Sequence, residues 1–132
     1  MRATTPEIGW SDVDVIDSAS NPWFGHRDAF RTFQWHYDMF ALPHGATRVL
    51  TNRFNPEQAF VLGKHVGFQC HIEMTREMVE TWCASGGDEL PLRSNGAVQS
   101  KADIFEDVDA RLAALSRVAD DVYATWARGL GP

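Results

Sequence analysis

Strand-like periodicity dominates the chain up to about residue 73, and helix-like periodicity follows it. In "EIGWSDVDVID" the residues Asp12, Val13, Asp14 and Val15 alternate at the two-residue period of a half-buried strand. "SASNPWFG" crowds Ser, Asn, Pro and Gly into a loop. Phe30, Phe33, Trp35, Tyr37 and Phe40 are too aromatic for a solvated loop and predict a buried strand running into a turn at Pro43 to Gly45. "TRVLTN" predicts a further short strand, ended by Asn52 and the loop "RFNPEQ".

The sharpest local prediction is a hairpin in "EQAFVLGKHVGFQCHIE", with Gly63 and Lys64 as its two-residue turn. That turn sets Leu62 opposite His65, Phe60 opposite Gly67 and Gln58 opposite Gln69. Side chains then sort by parity: Val66, Phe68 and Cys70 to one face, His65, Gln69 and His71 to the other. Thr75 is the expected N-cap of a helix that begins at Arg76, presents Met78, Val79 and Trp82, and stops in "SGG". Ser100 and Asp103 form a capping pair at the start of a second helix. Its apolar positions Ile104, Val108, Leu112, Leu115, Val118, Val122 and Trp126 run to an end near Gly129. Strands before helices fit an α+β domain or part of an α/β one.

A length of 132 residues supports one domain with one core. Hydrophobic residues at 44% and charged residues at 23% are ordinary for a folded chain. A formal net charge of −6 argues against a nucleic-acid partner, and the absence of a long apolar run or secretory signal argues against a membrane and for the cytoplasm. Cys70 and Cys83 are expected to be reduced thiols.

His71 and Glu73 stand two residues apart at a strand end, where both side chains can share a face. A carboxylate on one ring nitrogen fixes the tautomer of a histidine and stabilises the imidazolium that forms when it takes a proton. The plain alternative is polar closure of a strand. His36 and Asp38 repeat the spacing among aromatic residues, as a second polar pair or as a satisfied core histidine anchoring the turn. His26, His44 and His65 stand beside turn residues and are expected at the surface, while Gln34 and Gln69 could hydrogen-bond a polar ligand. Cys70 points away from His71 by parity, Cys83 lies among apolar helix neighbours, and no serine sits in a Gly-x-Ser-x-Gly turn, so no complete pair of nucleophile and base is present. His36, Asp38, His71 and Glu73 together also offer a ligand set for zinc or non-haem iron, which makes a metal-binding protein the alternative reading; a catalytically silent interaction module is the third.

In their order and spacing, "EIGW", "WFG", "FQWHYDMFALPHGATRVLTN", "EQAFVLGKHVGFQCHIEMTREMV" and "ARLAALSRVADDVYATWARGL" resemble the class I glutamine amidotransferases, in particular stand-alone members similar to the glutaminase domain of GMP synthase. The resemblance implies an α/β, flavodoxin-like three-layer fold, here its C-terminal half, with a mixed sheet, a β-hairpin and C-terminal helices. It implies a Cys-His-Glu triad that hydrolyses the side-chain amide of glutamine without a cofactor and hands ammonia to a synthetase partner. The family's Gln-Phe-His-Pro-Glu block falls on Gln69 to Glu73, which makes His71 the base and Glu73 its orienting carboxylate, with Cys70 in place of an aromatic and Ile72 in place of proline. Trp35, His36, Tyr37 and Asp38 correspond to a wall beside the glutamine. The family's Gly-x-Cys-x-Gly elbow precedes the block that begins here with "EIGW", so residues 1–132 are expected to be a partial domain lacking the nucleophile segment. The expected consequence is an exposed sheet, with Val13, Val15, Phe33 and Trp35 uncovered, that self-associates or takes up a separate N-terminal half.

Overall fold

The alternating run at the start of the chain forms β1 (Arg2–Val15), and the aromatic-rich run forms β2 (Ala29–Asp38), paired with it antiparallel so that Glu7 faces His36, Ile8 faces Trp35 and Trp10 faces Phe33. The computed structural model describes residues 2–130. A 3-10 turn, Pro22–Phe24, lies between them, capped by the Asn21 side chain, which accepts from the Trp23 amide. β3 (Thr47–Thr51), β4 (Ala59–Leu62) and β5 (His65–Phe68) complete a sheet of order β2-β1-β3-β4-β5. Every pair of neighbouring strands is antiparallel, and the mixed character is confined to an isolated parallel bridge between Ile8 and Val98.

The β4–β5 hairpin has the predicted register, with Leu62 opposite His65 and Phe60 opposite Gly67. Gly63 takes φ 61°, which a side-chain-bearing residue at the first position of such a turn would resist. The ladder continues beyond β5, where the Gln69 amide donates to the Gln58 carbonyl at 2.8 Å. His71 then bridges antiparallel to Phe33 of β2. The sheet therefore curls until the chain following its last strand meets its first, which satisfies backbone groups of β2 that an open edge would leave free.

Among the described residues, three α-helices follow. α1 (Arg76–Ser85) starts where the Thr75 hydroxyl accepts from the Met78 amide, and α2 (Lys101–Phe105) where the Ser100 hydroxyl accepts from Asp103, both as predicted. α3 (Val108–Gly129) buries Leu112, Leu115, Val118 and Val122. The single long helix expected from Ile104 onward is two, because Glu106 is extended and Asp107 is left-handed at φ 52°. Ile104 and Val108 keep a four-residue spacing across the break, so the apolar period runs straight through it. Among the described residues no helix is long and apolar enough to cross a membrane.

On one face of the sheet, Trp10 and Phe33 meet the helices: the Trp10 indole donates to the Ile104 carbonyl at 3.0 Å, and the Phe33 and Trp82 rings lie 6.1 Å apart. Val13, Val15 and Phe33, expected to be uncovered, are buried, and Trp35 packs half-buried against the core. The curl of the sheet and its helical cover account for this correction.

Candidate active site

His71 is fixed first through its backbone. Its amide donates to the Phe33 carbonyl at 2.8 Å, and its carbonyl accepts from the Thr32 hydroxyl at 2.9 Å. With the main chain pinned to β2, the ring reaches the Glu73 carboxylate, Nδ1 to Oε1 at 2.9 Å, and meets the Trp82 ring edge-on at 5.0 Å. The hydrogen bond from His71, foremost, holds the Glu73 carboxyl below its ordinary range against the opposing effect of partial burial. With Nδ1 taken by Glu73, Nε2 has no hydrogen-bond partner among the described residues.

That nitrogen belongs to a ring lining an open cleft of about 430 Å³ with Trp35, Tyr37, Trp82, Ser85 and Gly86. The volume suits a small molecule. Its walls come from β2 and from the end of α1, braced by Trp35 and Trp82 edge to face with ring centroids 6.1 Å apart. A side chain at Gly86 would crowd this wall, since a Cβ there would lie 2.6 Å from the Trp35 ring. Larger cavities lie elsewhere: about 620 Å³ beside Trp10, Arg53 and Gln99, and about 710 Å³ between β2 and α3. Neither touches His71.

The residues singled out in the sequence separate into two places. Trp35 and Tyr37 share the cleft with His71. His36 does not: strand alternation turns it to the opposite face, where it is buried among Gln34 and Glu7. Asp38 offers His36 only its backbone carbonyl, at 3.0 Å from Nδ1, and its side chain is exposed. The four-residue ligand set therefore does not assemble, and among the described residues no three His, Cys, Asp or Glu side chains come together to hold a metal ion. His26, His44 and His65 are exposed, as expected. Gln69 spends its carbonyl on the Phe40 amide at 3.2 Å, and Gln34 is consumed inside the protein. Trp82 and Gly86 were not singled out for the site by the sequence. Trp82 presents as one more apolar helix position and Gly86 as part of a helix stop, so nothing local marks them.

Neither thiol serves His71. Cys70 is buried, and loss of solvation pushes it up to about 12. Cys83 is buried as well, with its thiol pushed upward for the same reason. Both are free.

Set beside known proteins, the chain is similar to solved glutamine amidotransferases. One from Methylobacillus flagellatus matches with a TM-score of 0.90 and 38% identity over 98% of this chain and 55% of that one. One from Thermotoga maritima matches at 0.78 and 30% identity, over 99% and 54%. The protein SMU.1228c shares the fold at 0.77 with 22% identity, over 98% and 55%. The chain thus spans about half the length of the solved proteins it matches. No family model and no curated protein matches it.

Proposed function

The chain belongs to the glutamine amidotransferase family, and from that premise we propose that it supplies the base, the orienting carboxylate and one wall of a site that hydrolyses the side-chain amide of glutamine. The carrying observation is the His71–Glu73 hydrogen bond of 2.9 Å beside a cleft onto which the unpaired Nε2 can open. In this reading His71 Nε2 takes the proton of an incoming thiol, while Glu73 holds the Nδ1–H and stabilises the imidazolium. The thiolate sulfur attacks the amide carbon. His71 returns the proton to the leaving nitrogen, ammonia departs, and a thioester remains. His71 then takes a proton from water, which cleaves the thioester to glutamate and restores the thiol. Trp35, Tyr37 and Trp82 enclose the methylene chain of the substrate.

The thiol in this proposal comes from outside these 132 residues, because Cys70 and Cys83 are both buried with raised pKa. It is carried by the part of the family fold that this chain does not span, and the ammonia passes to a synthetase. Two reduced cysteines accord with action in the cytoplasm.

Glutamate release is the test. The isolated chain is expected to be silent, and mixing it with the thiol-bearing half of a family member is expected to give turnover that falls by about 10³-fold in His71→Ala. Turnover by the isolated chain, or labelling of Cys70 or Cys83 by a glutamine-mimicking electrophile in the folded protein, would overturn the assignment.

A further inference from the structure

Behind the cleft wall lies a buried polar chain that the proposed reaction does not use. Glu7, Gln34 and Gln58 are fully buried and His36 nearly so. The orientation of each group can be worked out from backbone atoms whose roles are fixed. The Asn52 side-chain carbonyl accepts from the Phe54 and Asn55 amides at 3.0 and 2.8 Å, so its NH₂ is the end that donates to Glu7 Oε2 at 2.7 Å. The Gln58 NH₂ lies 3.4 Å from the Asn55 carbonyl, which can only accept, and 2.8 Å from Glu7 Oε1. Gln58 therefore turns its carbonyl to Gln34, which donates to it at 2.9 Å and to the Ser11 hydroxyl at 3.1 Å. Gln34 is left presenting its own carbonyl to His36 Nε2 at 2.9 Å. At the other end of the ring, His36 Nδ1 faces the Asp38 carbonyl at 3.0 Å. In this orientation both ring nitrogens face acceptors, and Glu7 Oε1 lies 3.4 Å from Nε2.

We infer that His36 is a positioning residue, a buried imidazolium ion-paired with Glu7 across β1 and β2, which sets the strand segment whose other face presents Trp35 and Tyr37 to the cleft. The contribution to the cleft rests on the proposed glutaminase reading; the state of the ring does not. The pair sits directly opposite in the strand register, and beside an ionised Glu7 the chain of amides leaves no orientation in which the ring accepts without setting a carbonyl against another acceptor. Beside an ionised Glu7, a neutral ring would strand one carbonyl without a donor. An unpaired Glu7 would leave a carboxylate fully buried.

Nitrogen NMR of the histidine rings in the 132-residue chain decides the first part. The expected result at neutral pH is a His36 ring with two protonated nitrogens, slow to exchange with solvent. One protonated and one bare nitrogen would overturn the inference whatever the protein catalyses. Glu7→Gln, which keeps the shape and removes the charge, is expected to convert the ring to a single tautomer; a ring that keeps both protons in that variant would overturn the pairing. In the completed enzyme Glu7→Gln is expected to raise KM for glutamine about tenfold, with a smaller change in kcat, as uniform binding is lost. A fall in kcat alone, or no change in either, would overturn the positioning role. Should the wild-type assembly fail to hydrolyse glutamine, the reading of function fails while the ring signals still decide this one.

Discussion

Two histidine–glutamate pairs lie at or beside one sheet in opposite settings. His71 meets Glu73 at 2.9 Å with the two side chains 30% and 44% exposed, whereas His36 approaches Glu7 at 3.4 Å with the side chains 7% and 0% exposed. The first pair uses one ring nitrogen and leaves the other beside a cleft. The second uses both and shares them with backbone and amide groups. A base must have a nitrogen free to gain and lose a proton, and water or substrate must reach it. A group that orders an interior must have no vacancy, because each unmade hydrogen bond there costs about 1–3 kcal/mol. Burial and the count of occupied nitrogens, rather than residue type, separate the roles.

The largest effect that would break this contrast is on stability. Glu7→Ala removes the counter-charge of His36 and the acceptor of both Asn52 and Gln58, and should cost about 3–5 kcal/mol in a urea titration. Glu73→Ala, at a half-exposed pair, should cost less than about 1 kcal/mol. Equal losses would show that the two pairs are not different in kind. Gly86→Ala addresses the cleft alone: its Cβ would lie 2.6 Å from the Trp35 ring and 3.3 Å from the Trp82 carbonyl, so a cost of about 1 kcal/mol is expected, with a change in tryptophan fluorescence as the wall shifts. An unchanged spectrum would mean that the wall gives way freely.

The smallest effect is electrostatic. The Glu73 carboxyl is held below its ordinary range, so the folded state gains from it above the ordinary carboxylate range and loses that gain as pH falls through the depressed value. Glu73→Gln should therefore narrow the difference in stability between neutral and acid solution, by roughly a few tenths of a kcal/mol given the exposure of the pair. Urea midpoints of wild type and variant across that interval measure it, and a difference that grows toward acid would reverse the sign.

The two pairs also differ in how far the sequence reveals them. His71 and Glu73 are two residues apart in the chain, just past the end of β5, and their side chains meet within that short segment. Spacing pairs His36 with Asp38, yet strand alternation turns its ring toward Glu7, far back in the chain, and keeps only the Asp38 carbonyl. The same inversion explains why Trp35 and Tyr37 line the cleft while His36 does not.

By itself the sequence determined what depends on the next few residues: the Gly63 turn and hairpin register, the caps at Thr75 and Ser100, and the reach of Glu73 to its histidine. Only the tertiary structure decided that the sheet closes through Phe33 and His71, that Trp82 and Gly86 join the cleft, that Asp107 divides a continuous apolar stripe, and that Glu7 is the partner of His36. The physical reason is range. Turn strain, capping and side-chain alternation act over two to four residues and leave a periodic trace. Desolvation and cross-strand pairing act between segments that meet only when the chain is folded.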